Sequence, residues 1–528
     1  MQIRMSSWHT TTATATHDEL TMIPTSKRTV AVAAALLAAT SLLALPAGAV
    51  RINPDGHGQA LVYPYYTARS TLSGNSYATA LAIANTTASA KAVKIRFIEG
   101  KVGAEVLDFN LYVDAYDMWT GGVVALGAGA GLFTQDHSCT SPAIATNPAA
   151  PTPFRNSAYV SDLIGDTLDR TYEGYIEVLE MATLDPSSPL AAAIRHRPDF
   201  SSPNASRPSC ANLAAIEMAP TRLTKPTGGL QGNLSFINVN EGTDFSVDAI
   251  AFTRWSDKVQ WSAPGNAHPN IADVSPRSSY VVDDSTGRAF ITQWTNGRDA
   301  ITALLMADHI LNDFTVEPVI KGATDWVMTM PTKRFYVDAA HAESPFTPRS
   351  VGATSSSFIC ERLATNPCGG QTLPLFDREG QSLGVFYICG VATPSRSELC
   401  GVATGLWFTR DSFPAPAKGL LGSATMGRLF VHTQLVNGWA DLDFIDRYSN
   451  PPQPPRKLTA PAGATTIVDL ATGTSTSGAT VAYYGLPVVG FAAQAYSTTG
   501  LPGVNPNVLS NYGGQFNHKI KRRVEVQP

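Results

Sequence analysis

KAVKIRFIEGKVGAEVLDFNLYVDAYDMWT, residues 91–120, decides the fold, because apolar and polar side chains alternate along it with a period of two. Val93, Ile95 and Phe97 fall on one side of an extended chain and Lys94 and Arg96 on the other, the pattern of a strand with one buried face and one wet face. Glu99-Gly100-Lys101-Val102-Gly103 supplies a turn. Beyond it Leu107, Phe109, Leu111 and Val113 alternate with Val106, Asp108, Asn110 and Tyr112, so a second strand returns antiparallel to the first.

Working outward, the same signal recurs. Strands are expected at 61–65, 78–85, 119–126, 173–181, 230–239 and 245–253, and again at 303–307, 313–318, 325–330, 334–337, 372–377, 385–389, 428–434, 439–444, 479–484 and 487–496. EGYIEVLEM, 173–181, carries apolar residues on both sides and so belongs in the middle of a sheet, whereas Pro64, which cannot donate to a ladder, argues for an edge. Short helices are expected only at 189–196 and 210–218. No repeat period points to a solenoid or propeller, and strands without regularly interposed helices exclude a doubly wound α/β fold. The expected class is mainly β: two antiparallel β-sandwich domains, immunoglobulin-like or jelly-roll-like, with long loops and a few short helices. A chain of 528 residues exceeds what one core usually organises. The expected division is a first domain over 50–255, a connecting segment rich in Pro, Gly and Ser over 256–290, and a second domain over 291–528 with a four-cysteine region and a proline-rich loop at 450–461.

Charged residues make up 15% of the chain and hydrophobic residues 44%, so Ser, Thr, Asn and Gly carry much of the surface. A formal charge of -4 leaves no nucleic-acid footprint. Lys27 and Arg28 precede the apolar run 29–45, and Pro46-Ala47-Gly48-Ala49 ends in a small-x-small pattern, so residues 1–49 read as a signal peptide cleaved between Ala49 and Val50, with Met22 an alternative start. The apolar run is too short to span a bilayer and no later one is long enough. The mature chain, with 35 basic and 40 acidic residues, is expected to be soluble, in the periplasm or outside the cell.

Six cysteines in an exported chain point to bridges, not thiol chemistry. Cys139 and Cys210 stand apart from the rest and pair naturally. Cys360, Cys368, Cys389 and Cys400 allow three pairings among themselves, and their spacing is too wide for a metal knuckle.

Chemistry-bearing motifs are scarce. No G-x-S-x-G elbow, H-E-x-x-H helix, phosphate loop or EF-hand pattern occurs. The glycines at 127–131 precede no βαβ unit, so no dinucleotide or other cofactor is expected. Histidines 57, 137, 196, 268, 309, 341, 432 and 518 are scattered without metal spacing. Asp136-His137 beside Cys139 reads as a disulfide-anchored turn. Asp114 and Asp117 beside Trp119, or Glu173, Glu177 and Glu180, carry the residue types of a glycoside hydrolase, but Glu173 and Glu177 stand roughly 13 Å apart in extended chain, too far for a catalytic pair. Solvated strand positions are the expectation for these carboxylates, for Asp441, Asp443 and Asp446, and for the basic tail Lys519, Lys521, Arg522 and Arg523.

The segments INPDGHGQALVYPYYT, residues 91–120, GLFTQDHSCTSPAI, EGYIEVLEM, ATDWVMTMPTKRFYVD, LFDREG and GLPVVGFAAQAY together resemble a family of uncharacterised exported, β-rich proteins of Gram-negative bacteria. The resemblance spans nearly the whole mature chain. It implies a secreted architecture with no catalytic residues to carry over, and it implies Cys368 bonded to Cys400 and Cys360 to Cys389. The expected function is non-enzymatic: a structural or binding protein of the envelope whose partner is another protein, a glycan or a copy of itself, with no nucleic acid, metal or cofactor. The alternative is a secreted hydrolase acting on polysaccharide, with carboxylates from separate strands.

Overall fold

In the computed structural model the opening stretch forms the strands Lys91–Glu99 and Glu105–Val113, paired antiparallel with Val93 opposite Leu111, Ile95 opposite Phe109 and Phe97 opposite Leu107. The described residues are 48–159, 165–196, 207–337, 342–346, 360–362, 375–381, 398–410, 418–423, 426–431, 434–444, 455–497 and 511–528. The expected strand at 385–389, residues 450–454 of the proline-rich loop and the expected signal segment up to residue 47 lie outside them.

These two strands belong to an eight-stranded sheet in the order Arg51–Asn53, Ile250–Thr253, Ala60–Thr67, Glu173–Leu184, Lys91–Glu99, Glu105–Val113, Cys139–Ser141, with Leu223–Thr224 added at the end of Glu173–Leu184. Glu173–Leu184 is central, as its two apolar faces require. A six-stranded sheet, Thr243–Asp248, Leu230–Asn238, Ala78–Asn85, Met118–Ala125, Ala130–Phe133, Thr152–Pro153, shares its core: Tyr65 meets Phe236 at 5.9 Å between ring centroids and Phe109 meets Trp119 at 5.7 Å. The expected strand at 245–253 is two strands, because the chain changes sheets at Ala249.

Pro64 sits in the middle of the sheet, contrary to expectation. Ala60–Thr67 has a neighbour on each side, but the register slips there: Tyr66 opposes Gly174 and Tyr63 opposes Ile176, so Tyr65 and Pro64 together face one residue. The missing N–H falls at this bulge, where no ladder bond is due. Gly174 is required on the other side, since a Cβ there would stand 1.9 Å from the Ile98 carbonyl oxygen.

The later residues build smaller sheets. One runs Gly427–Val431, Ala403–Arg410, Ala323–Thr329, Val489–Ser497, Asn511–Asn517, its first pair parallel and the rest antiparallel. Another runs Leu375–Phe376, Asn437–Asp443, His309–Thr315, Lys519–Lys521. The expected strand at 303–307 is mostly the helix Gly297–Leu305, capped by the Asn296 side chain accepting from the Asp299 N–H at 2.9 Å. The strand expected at 334–337 is a 3-10 turn, Lys333–Phe335. The basic tail is paired through its backbone, Lys519–Lys521 with His309–Thr315 and Val524–Val526 with Val481–Tyr484, while the side chains of Lys519 and Lys521 are exposed, as expected of a solvated tail.

Gly48–Pro528 forms one compact unit. One cluster of buried side chains, including Ile310, Phe314, Trp326, Phe408 and Leu442, belongs wholly to the later part of the chain. The larger cluster runs from Val50 to Ala493, and within it Phe236 stacks on Phe491 at 5.7 Å, across the boundary expected at 255. The stretch expected to connect two domains does other work. Its first part lies over the eight-stranded sheet, and Ser278–Asp283 pairs with Arg288–Gln293 in a four-stranded sheet completed by Thr465–Asp469 and Ser475–Ala479.

Candidate functional site

The alternation at 91–120 implies one apolar and one polar face, and the structure buries both. Lys94 is 0% exposed and Arg96 3%. The physical reason is cross-strand pairing. The register sets Arg96 opposite Asp108 on one side and Glu177 on the other, and Lys94 reaches Asp108 at 2.8 Å. Arg96 meets Glu105 at 2.5 Å, and Glu177 accepts from Arg334 at 2.7 Å. A strap from residue 262 to 271 covers this face: Lys94 donates to the Ala263 carbonyl at 3.0 Å, Arg96 to Pro269 at 2.9 Å and to Ala267, while the Gly265 N–H reaches Asp108 at 2.6 Å. The Ile271 N–H reaches Glu177 at 3.3 Å.

The remaining carboxylates of this sheet are gripped as closely. Glu180 holds Lys91 at 2.8 Å and accepts from the Thr227 and Gly228 N–H groups. Glu173 accepts from Tyr65 at 2.7 Å and pairs with Arg69 at 3.0 Å. Glu99 takes the N–H groups of residues 101–104 and pairs with Arg170 at 3.0 Å, so the turn is built around a buried carboxylate. The expectation that Glu173, Glu177 and Glu180 are solvated is therefore overturned: all three are buried and partnered. Burial drives the Glu105 carboxyl upward, against the pull of Arg96.

The other sequence candidates are dispersed. Asp136 accepts from the Ser138 N–H and hydroxyl, bracing a turn, and His137 is exposed. Asp114 and Asp117 contact His196 and Ser138, while Trp119 points into the core and offers no platform. Asp441 is bound by His309 at 2.6 Å and Lys521 at 2.9 Å; burial raises its carboxyl, but these two bonds hold it below the usual range. Asp446 lies outside the described residues. Cys139 and Cys210 are bonded. Cys400 is in a disulfide, and its cross-strand partner in the pair Cys360–Arg362 with Glu398–Cys400 is Cys360. Cys368 and Cys389 lie outside the described residues.

Asp325 is a buried carboxyl with no cation within 4.0 Å among the described residues. Asp325 accepts from the Leu421 N–H at 2.8 Å, and burial pushes it up to about 6, with the Glu173 charge adding to the rise.

A cavity lies elsewhere, among residues that the sequence did not single out together. A cleft of about 850 Å³ opens between Arg51–Asn53, one end of the six-stranded sheet, Gly297–Leu305 and the tail, within the size range of small-ligand sites. Ile52, Ile250, Leu304, Val488 and Val489 give it an apolar lining; Arg51, Asp55, Asp248 and Asp284 stand on its rim. From the tail come His518 and Arg522. His518 packs against Trp326 at 5.2 Å, its Nε2 facing the Val327 carbonyl at 2.9 Å and its Nδ1 facing the Asn312 amide at 3.0 Å, and burial pulls it down to about 4, so it is neutral. Arg522 donates to the Leu304 carbonyl at 3.0 Å, at the carboxyl end of the helix. Its Nε is buried without a hydrogen-bond partner. Asp284 and Asp283 act on it electrostatically, and among the described residues no ion pair with it falls within 4.0 Å. The signal available in the sequence was HKIKRRVEV, 518–526, where Ile520, Val524 and Val526 interrupt the basic run as strand residues do.

Among the described residues no group of three or more His, Cys, Asp or Glu side chains could hold a metal ion, and no helix is long and apolar enough to cross a membrane. No family model matches the chain, and neither the curated proteins nor the solved structures give a match.

Proposed function

We propose that the mature chain is an exported, non-enzymatic β protein, periplasmic or extracellular, that binds a ligand in the cleft walled by its own C-terminal tail. The observation that carries this reading is the cleft itself, about 850 Å³ in volume with an apolar lining and the cationic residue Arg522 on its wall. The carboxylates a hydrolase would employ support the same reading from the other side, since Glu173, Glu177 and Glu180 are each engaged with a cation. Export rests on residues 1–49 and on the cysteine pattern. A finer architecture of two sandwich-like parts, with separate packing centres and a shared seam, belongs to this proposal and is supported by the cluster confined to the later residues.

The test is thermal denaturation of the oxidised mature protein against apolar carboxylates, neutral amphiphiles and oligosaccharides. The expected result is a rise in Tm with one class, lost in Ile52→Trp, which fills the cleft. Absence of any shift, or release of reducing ends from a polysaccharide that Asp248→Asn abolishes, would overturn it.

A further inference from the structure

Gly48, Ala49 and Val50 are built into the fold more tightly than a freshly cut chain end allows. Val50 is 0% exposed; its N–H donates to the Ser278 carbonyl at 2.8 Å and its carbonyl accepts from the Tyr280 N–H at 2.9 Å, a parallel bridge centred on Ser279. Directly after it Arg51–Asn53 pairs antiparallel with Ile250–Thr253, so this segment joins the four-stranded sheet to the eight-stranded one. Ala49 is 4% exposed and belongs to an apolar cluster of the four-stranded sheet, with Ala289, Ile291 and Val468. Gly48 lies so close to Pro276 that a Cβ on it would stand 2.9 Å from the proline Cγ.

The sequence offers two small residues before a cut, Ala47 and Ala49, and the small-x-small pattern favours the second. The fold favours the first. A cut after Ala49 takes a methyl group out of an apolar cluster and turns the Val50 amide into an α-amine, charged near neutral pH. Such an end either buries a positive charge or frays from Ser278–Asp283. A cut after Ala47 places the amine on Gly48, which is partly exposed, and keeps the bridge intact. The peptidase meets an unfolded chain, so burial does not steer the enzyme; it marks the residues that the folded product uses.

We propose that the exported chain is cut between Ala47 and Gly48, with Gly48 and Ala49 retained as structural residues of the mature protein. The assignment rests on the export reading above and names its processing site. Because Arg51–Asn53 runs from this bridge into the wall of the cleft, the retained pair also anchors one side of the binding site.

The test is expression of the full 528-residue precursor in a Gram-negative host, the product being recovered from periplasm and medium and read by N-terminal sequencing and intact mass. The expected first residues are Gly48, Ala49, Val50 and Arg51. Ala49→Leu removes the small residue that the later cut requires and should still be processed at the same bond, whereas Ala47→Leu should leave the precursor uncut. A product starting at Val50, or at any residue other than Gly48, overturns the assignment and leaves export standing. Precursor accumulating in Ala49→Leu, or a mature product from Ala47→Leu, does the same. Wild-type precursor left uncut inside the cell overturns the export reading with it. Chains released from a removable tag so as to begin at Gly48 or at Val50 should differ in Tm by about 2 °C or more, the longer one higher. Equal values overturn the structural role of the pair.

Discussion

The covered face of the eight-stranded sheet and the tail-walled cleft both bring charge into an apolar interior, and they do so under opposite rules. On the sheet, Lys94, Arg96, Glu105, Asp108, Glu177 and Arg334 are placed by strand register so that each cation finds a carboxylate. The strap then accepts further bonds from Lys94 and Arg96 with its own carbonyls. In the cleft, Arg522 lies between the two short tail strands Lys519–Lys521 and Val524–Val526, and among the described residues no carboxylate comes within 4.0 Å of it. A charge matched inside the chain holds the fold, whereas one left unmatched waits for something from outside.

The largest effect should come from breaking the matched side. Glu177→Ala strands Arg334 and removes one of the two carboxylates beside Arg96, both buried, and should cost about 3–5 kcal/mol in urea denaturation. A loss below about 1 kcal/mol would mean that water already reaches this face. Replacing Cys139 and Cys210 together by Ala opens a bridge spanning 71 residues and should cost roughly 2–5 kcal/mol. A peptide map without reduction should show Cys400 bonded to one of Cys360, Cys368 and Cys389, and a free Cys400 thiol would contradict its bridge.

Asp325 sharpens the comparison, being a buried charge without a cation. Its folded pKa, about 6, lies above the ordinary value of 3.8, so its contribution to stability is fully present below about pH 4 and is lost as pH rises through 6. Asp325→Asn should remove a pH dependence of about 3 kcal/mol across that window. His518 runs the other way. Its folded value of about 4 lies below 6.5, so its contribution is present above pH 6.5 and lost as pH falls toward 4. The wild-type profile between pH 4 and 6.5 should therefore be flat; Asp325→Asn should make stability rise with pH, and His518→Gln should make it fall. Two single variants with slopes of the same sign would contradict this opposition.

Much of the β architecture was legible at 91–120 and 173–181, because register follows from a two-residue period and little else. The same period misled about water. Lys94 and Arg96 alternate with Val93 and Ile95 just as solvated residues would, and only the strap, more than 160 residues downstream, reveals that their face is covered. Pro64 was misplaced for a related reason: a bulge is a property of two strands, and Tyr63 to Tyr66 show only one of them. At 303–307 the apolar run ITALLMA fits strand or helix, and the cap formed by Asn296 and Asp299 decided the matter from outside the run. The cleft was the least legible feature. Its walls come from Ile52, Leu304, Val488 and Arg522, residues with no local motif to join them.

The most direct measurement of the central claim is urea denaturation of Lys94→Gln set beside Arg522→Gln at pH 7.5. Lys94 is matched by Asp108 and the Ala263 carbonyl, so its loss should cost about 3 kcal/mol or more, while loss of Arg522 should change stability by less than about 1 kcal/mol in either direction. Equal costs for the two variants, or a larger one for Arg522→Gln, would contradict the division between charges that hold the fold and the charge kept for a ligand.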